Sequence, residues 1–297
     1  MPPDEFDHAM DAEWARRKGG ARWWMALGAV AGALILGVFG WSWSQVVGAG
    51  ALVGALAIGA VAGAGIGWLI VRSQARRAAH LTVAARWARD NGWAYAQKVD
   101  ISGIDLGFLR QGDRRYCEDG ASGRIGGHPA QFANFTVEND STDGKGNRHT
   151  SHDRYFIVVV HRAWEGPRLT MVRRSLGLGR GMRDAVRSRA TSRQVVELEH
   201  DDFADEFQVT IPDEWGRDVA FLLIPPDVQE ALMHGTRLED VRQVDAAAHF
   251  LFLAWRSHFS ADDLLLLDDR LDDTAWLLGR WGDVPPAMRP VARGEGG

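Results

Sequence analysis

The sequence predicts an α+β protein. An N-terminal two-helix transmembrane hairpin precedes a cytoplasmic domain of antiparallel strands with packed helices. Three observations carry this reading. No charged residue lies between Arg22 and Arg72. Basic residues crowd both outer ends of that stretch. From Trp93 onward, short β-branched and aromatic runs alternate with Gly- and Pro-bearing turns.

The charge-free stretch holds two apolar runs, Trp23–Trp43 and Val46–Val71. A helix rises about 1.5 Å per residue, so each run crosses a hydrocarbon core of roughly 30 Å. Backbone amides in lipid must be satisfied internally, which makes both runs helical and places the turn at the polar link Ser42–Gln45. Arg16, Arg17, Lys18 and Arg22 precede the first span, and Arg72, Arg76 and Arg77 follow the second. The link has no Lys or Arg. Positive flanks stay inside, so both termini are expected in the cytoplasm, with the chain multi-pass in an inner membrane. Trp23, Trp24, Trp41, Trp43 and Trp68 fall where indole rings favour the headgroup level.

Small residues stripe the spans at Gly28, Gly32, Gly50, Gly54, Gly59, Gly63 and Gly67. Such spacing lets helix backbones approach closely in lipid. It predicts a packed hairpin, and offers the second span a face for pairing with another copy of the chain. Neither span carries a charged side chain, which argues against a pore.

Residues 1–22 read as a poorly ordered cytoplasmic tail, with a short helix over Asp11–Lys18. Residues 72–92 lack Gly and Pro until Gly92 and are rich in Ala, Arg and Leu, so a juxtamembrane helix ends at that glycine. Residues 93–284 form the α+β domain and residues 285–297 a disordered tail. Within the domain, Trp93–Ala96, Ser122–Ile125, Gln131–Glu138 and Arg154–Arg162 read as strands of a meander. Gly126–Pro129 is a tight turn and Asn139–Asp153 a polar loop. Leu169–Val172, Val195–Glu199, Phe207–Ile211 and Ala248–Trp255 add strands. Helices are expected at Met182–Ala190, Asp202–Glu206, Asp213–Leu223, Pro226–His234 and Ser260–Trp281, the last opened by the capping pair Ser260 and Asp263.

Composition narrows the function. The chain has 297 residues and a formal charge of −5, which does not suggest nucleic acid as a partner. Its one cysteine, Cys117, excludes an internal disulfide and a Cys-based zinc site, and suits a reducing compartment.

The order of features resembles a family of membrane-anchored bacterial proteins classed as a domain of unknown function. The resemblance rests on Asn91-Gly92-Trp93, Gly127-His128-Pro129-Ala130-Gln131-Phe132, Tyr155–Val159 and Asp202–Phe207 followed by a Pro-started helix. It covers roughly Arg86 to Leu278. It implies an α+β domain on a membrane anchor and supplies no catalytic residues.

No motif points to chemistry. His149 and His152 stand three apart in a polar loop without a third ligand. Asp143-Gly144 echoes a calcium loop, but Thr150 stands where the closing Glu belongs. Gly177, Gly179 and Gly181 lack the spacing and the Lys-Ser/Thr of a phosphate loop. Glu197, Glu199 and Asp202 flank His200 without matching an acid/base scheme. Asp262, Asp263, Asp268, Asp269, Asp272 and Asp273 read as a helix start and a solvated face. No catalytic, cofactor or metal residue is therefore assigned, and no cofactor is expected. One charged feature stands out: Arg173, Arg174, Arg180, Arg183, Arg187, Arg189 and Arg193 face Asp184 alone in their segment. Under an anionic leaflet each such residue gains about 1 kcal/mol, so the first six are candidate lipid contacts. The expected function is a membrane-tethered scaffold or binding domain for a protein partner or lipid. The alternative is a membrane-bound hydrolase assembled from distant residues, recognisable by a deep pocket lined by His161, His200 or His249 with acidic neighbours.

Overall fold

The computed structural model describes residues 5–101, 103–104, 106–164, 166–174, 193–196, 198, 201–235, 237–247, 249–260 and 264–281. The chain divides into two compact units, residues 1–86 and 87–297.

The first unit is built on two helices, α1 (Glu5–Val47) and α2 (Ala49–Asp90). Both are long and apolar enough to cross a membrane, and only 6% and 11% of their apolar windows are buried. A core helix of a soluble protein would bury most of that window. The turn is not at Ser42–Gln45, which stays helical, but at Gly48. Its φ of +100° is open to glycine and costly for residues bearing a Cβ. The four residues of the link include neither Gly nor Pro, so nothing in it stops α1 before that glycine. The N-terminal tail also differs from expectation, being helical from Glu5. Glu13 pairs with Arg16 at 2.5 Å and Arg17 at 3.5 Å, and Trp14 sets its ring edge-on to Trp68 at 6.5 Å. The tail thus has α2 to pack against.

The expected juxtamembrane helix is the last part of α2. Gly92 adopts φ +72°, the Gly92 amide donates to the Arg89 carbonyl, and the Trp93 amide donates to Ala88. This pair of bonds satisfies carbonyls that the helix end would otherwise leave open.

The second unit is a nine-stranded, wholly antiparallel sheet. Its strands are β1 (Ala94–Lys98), β2 (Arg114–Ile125), β3 (His128–Thr142), β4 (Arg148–His161), β5 (Leu169–Arg173), β6 (Arg193–Val196), β7 (Phe207–Pro212), β8 (Val241–Ala247) and β9 (Phe250–Trp255). They run in the order β1-β2-β3-β4-β9-β8-β5-β7-β6. Gly126 and Gly127, both at positive φ, make the two-residue turn between β2 and β3. The polar loop expected at Asn139–Asp153 is instead the end of a hairpin: β3 and β4 stay paired out to Thr142 and Arg148. Asp143 builds its turn, accepting from the Lys145 and Asn147 amides at 2.9 and 2.8 Å.

Among the described residues, four helices accompany the sheet: α3 (Asp201–Glu206), α4 (Asp218–Leu223), α5 (Pro226–His234) and α6 (Leu264–Arg280). One sheet face carries Phe132, Asn134, Phe156 and Trp255. Against it sit Phe259, Trp87 and Arg270 of α6. Asn134 fastens this side, donating to the Phe259 carbonyl at 2.9 Å and accepting from its amide at 2.6 Å. The opposite face carries Phe135, Tyr155 and Phe252, all packed on Phe108 of a 3-10 turn, Phe108–Arg110.

Candidate functional site

In the first unit, the glycines of the sequence stripe divide into two groups. A Cβ placed on Gly28 would strike the backbone of Gly63, and one on Gly32 would strike Gly59; the reverse substitutions clash equally. Gly67 lies against the Trp24 backbone in the same way. Around Gly50 and Gly54, by contrast, there is open space. Gly28, Gly32, Gly59, Gly63 and Gly67 lie inside the hairpin while large residues turn outward: Val38 is 70% and Val61 75% exposed.

In the second unit the most deeply buried carboxylate is Asp245, on β8 opposite Thr170 of β5. The Thr170 hydroxyl donates to Asp245 at 2.5 Å, and the Gln243 amide donates to its other oxygen. Arg193 of β6 donates to the Thr170 hydroxyl at 3.1 Å. The network ties the sheet together across β8, β5, β7 and β6. Burial pushes the Asp245 carboxyl above its ordinary range, against the pull of those two hydrogen bonds and of Arg168 and Arg193. Gln243 Oε1 and Arg168 Nε are buried without a hydrogen-bond partner. The network can take up a proton, but none of its members is a thiol, lysine or histidine that would complete an acid/base pair.

Two pockets lie elsewhere in this unit. One, of about 340 Å³, is walled by Arg270, Trp255, Asp269 and Asp272. Arg270 lies over the adjacent rings of Phe156 and Trp255, with centroids 5.2 and 5.7 Å away, and donates to the Ser257 hydroxyl at 2.6 Å. Beside it Leu238 and Asp240 hold φ of +57°, a conformation rare for residues other than Gly. The Leu238 amide donates to Asp273 at 2.7 Å, which fixes that strained loop to α6. The other pocket, of about 320 Å³, opens beside Cys117. Burial pushes the Cys117 thiol up to about 12, so it is no nucleophile at neutral pH.

The histidines and arginines singled out in the sequence do not converge. His149 lies 3.5 Å from Asp143 and His152 3.4 Å from Glu138, both on the exposed hairpin end. His161 ends β4 and His249 is exposed, and neither lines the two pockets. Among the described residues no three His, Cys, Asp or Glu side chains gather as a metal set. Arg173 is half-enclosed by the domain: it pairs with Glu206, stacks over Phe207 at 5.1 Å and reaches the Leu232 carbonyl at 3.5 Å. Arg174 is exposed. Arg180, Arg183, Arg187 and Arg189 lie outside the described residues, as do His200, Gly177, Gly179, Gly181 and the helix expected at Met182–Ala190. The Asp245 network had no sequence signal beyond an acid amid apolar neighbours, because Thr170 and Arg193 reach it from two other strands, β5 and β6.

No family model matches this chain, and no curated protein matches it. Among solved structures, a crystal structure of the mycobacterial trehalose monomycolate transport factor A, TtfA, is similar at 11% identity. The match covers 69% of this chain and 97% of that one, with a TM-score of 0.45. At that level the likeness carries no inference about function.

Proposed function

We propose that this chain is a membrane-tethered binding protein: α1 and α2 cross an inner membrane as a hairpin, and residues 87–297 act in the cytoplasm on a protein partner or lipid. The observation that carries this is the inversion of the hairpin, with glycine inside and Leu, Val, Ile and Phe outside. Water would penalise that surface, whereas hydrocarbon accepts it. The basic flanks support an orientation with both termini in the cytoplasm. Arg174 and the arginines at 180, 183, 187 and 189 are the proposed contacts with anionic headgroups, whereas Arg173 is engaged by Glu206 and Phe207 within the domain. Gly50 and Gly54, open on α2, are the proposed surface for pairing of two copies in the bilayer.

Reporter fusions at residue 1 and residue 297 test the topology, and both are expected to read cytoplasmic. An external signal at residue 297 would overturn the compartment. Crosslinking in membranes followed by purification tests the binding role. A discrete partner or an anionic lipid recovered with the chain is the expected result. Turnover of an ester or phosphoester by the purified chain would replace the binding role with an enzymatic one.

A further inference from the structure

The basic ends of the two long helices meet on one side of the hairpin. The contacts of Gly28 with Gly63, Gly32 with Gly59 and Gly67 with Trp24 fix an antiparallel register. Buried Ala21 and Glu13 on α1, and Val71, Ala75 and Ala79 on α2, continue the same seam. Carried to the basic ends, that register sets Arg72 level with Gly19, between Lys18 and Arg22. Trp14, Lys18 and Arg22 follow at four-residue steps and share a face of α1. Trp68 and Arg72 share a face of α2 in the same way. The Trp14 ring stands edge-on to that of Trp68 at 6.5 Å, so these two faces open on the same side of the pair. Lys18, Arg22 and Arg72 are all exposed. Arg72 lies over the Trp68 ring at 4.9 Å, a stacking that leaves the N–H fork in its plane able to donate. Among the described residues no carboxylate neutralises the three cations. Glu13 is held by Arg16 and Arg17, and from Trp14 to Arg89 the chain has no Asp or Glu. The adjoining turns carry exposed Trp23, Trp24 and Leu69, so the cations stand at the edge of the apolar surface.

We propose that Lys18, Arg22 and Arg72 form a discrete site for the phosphate of an anionic phospholipid headgroup. The site deepens the membrane-crossing reading and rests on it. Charge selects the headgroup. Three cations without a carboxylate favour a lipid of net negative charge over a zwitterionic one, whose ammonium they repel. Arg22 and Arg72 supply paired N–H donors for phosphate oxygens, and Lys18 adds a point charge. Position selects a lipid over free phosphate. Acyl chains below a headgroup held here run along the exposed apolar turns at Trp23 and Leu69, and Trp14 and Trp68 stand at the headgroup level that indole rings favour. Helix rise sets the size: Lys18 and Arg22 are about 6 Å apart along the axis, which suits one phosphate rather than several.

The test uses the full chain in detergent micelles, titrated with phosphatidylglycerol or phosphatidylcholine and read by native mass spectrometry. One phosphatidylglycerol per chain is expected to be retained, at concentrations where phosphatidylcholine is not. Inorganic phosphate at the same concentration should not displace it. Replacing all three cations, Lys18→Gln with Arg22→Gln and Arg72→Gln, should weaken retention about a hundredfold, at roughly fivefold for each basic residue near an anionic surface. Arg16, Arg17, Arg76 and Arg77 remain in that variant, so the basic flanks are kept. Arg22→Lys keeps the charge and should bind within about fivefold of the parent. A comparison variant, with Arg180→Gln, Arg183→Gln, Arg187→Gln and Arg189→Gln, should retain the lipid. The site is overturned by equal retention of the two lipids, by retention that does not saturate at one per chain, or by displacement with inorganic phosphate. An unchanged triple variant, or an Arg22→Lys variant as weak as the triple, overturns it equally. So does a loss in the comparison variant as large as that in the triple, which would assign the headgroup to the later arginines. A carbonate wash of membranes keeps the two readings apart. Release of the chain by alkaline carbonate would fail the membrane-crossing reading, whereas a chain that stays in the pellet yet shows no lipid preference fails this site alone.

Discussion

The two units of this protein solve the packing problem in opposite ways. In the sheet unit the largest side chains are innermost: Phe132, Phe135, Phe156, Phe252 and Trp255 are all essentially inaccessible. In the helical unit the smallest are innermost, with Gly28 on Gly63 and Gly32 on Gly59, while Leu34, Phe39 and Val61 look outward. Water drives the first arrangement, since each buried aromatic removes a large apolar area from it. The second gains nothing from water and relies on backbone-to-backbone contact, which side chains larger than hydrogen prevent. The difference supports the membrane-spanning role proposed for the helical unit.

The sharpest contrast comes from truncating phenylalanine in each unit. Phe132 touches Trp87, Trp93, Phe156 and Phe259, with ring centroids 5.2 to 6.0 Å apart. Phe132→Ala should cost about 3–5 kcal/mol, the usual range for a buried aromatic. Phe39 is 67% exposed, and Phe39→Ala should change the stability of the reconstituted chain by less than about 0.5 kcal/mol. Denaturant unfolding followed by Trp fluorescence reads both. Equal losses would mean that the hairpin buries its outer face against something in solution.

Enlarging glycine inverts that comparison. Gly63→Leu drives a side chain into the Gly28 backbone and should cost at least about 1–3 kcal/mol of hairpin packing. Gly54→Leu meets open space and should leave the hairpin intact. Distance measurement between spin labels on α1 and α2 in nanodiscs separates the two outcomes. A splayed hairpin in Gly54→Leu, or an unchanged one in Gly63→Leu, would break the division between inner and outer glycines.

How far the sequence reveals each unit follows from the same contrast. Helices in the first unit were legible because the charge-free stretch between Arg22 and Arg72 admits one solution, yet their turn was misplaced. Polarity at Ser42–Gln45 was a weaker signal than the backbone freedom of Gly48. In the sheet, β-branched and aromatic runs revealed β3, β4 and β7, and a run apolar on both faces revealed β9. Burial on both faces hid β8, where Arg242, Gln243 and Asp245 are enclosed among apolar residues, and the bulge at Glu118/Ala121, with Asp119 at φ +50°, hid the first half of β2. The outer ends of β3 and β4 were unreadable for another reason: both of their faces meet water, so no apolar period exists there. The pocket beside Cys117 and the Asp245 network join residues far apart in the chain, and no local pattern announces such a meeting.

Asp245 gives a pH-dependent prediction. Its folded-state carboxyl titrates above the unfolded value of 3.8, so the folded chain holds that proton more tightly. Its contribution to stability is complete below the unfolded pKa and is lost as pH rises through the folded one. Asp268 and Asp273 are raised by burial as well and act with the same sign. Asp245→Asn removes one of these losses while an amide oxygen can still accept from Thr170. Stability of the variant relative to the parent should therefore improve steadily from pH 4 towards neutrality. A constant difference across that range, measured by urea unfolding, would show that the carboxyl stays ionised.

A modest effect, smaller than that of truncating Phe132, is expected at Gly92, where α2 ends. This residue holds φ +72°, and a Cβ there would meet nothing within 4 Å. Any cost of Gly92→Ala is therefore conformational rather than steric crowding by neighbours. For a residue with a Cβ the left-handed region costs roughly 1–2 kcal/mol. In a unit of this size about 1 kcal/mol moves the melting temperature by roughly 2–4 °C. Asn tolerates this conformation better than Ala, so Gly92→Asn should recover part of the loss. The chain has a built-in reference at Gly235, which closes α5 in the same conformation, at φ +63°. There an added Cβ would meet Glu239 at 3.7 Å, an ordinary contact. Gly92→Ala and Gly235→Ala should thus lower the melting temperature by similar amounts. A loss at Gly92 several times larger would mean that the bond from the Trp93 amide to the Ala88 carbonyl holds more than a helix end. It would then be fixing the indoles of Trp87 and Trp93 against Phe132, and with them the aromatic side of the sheet.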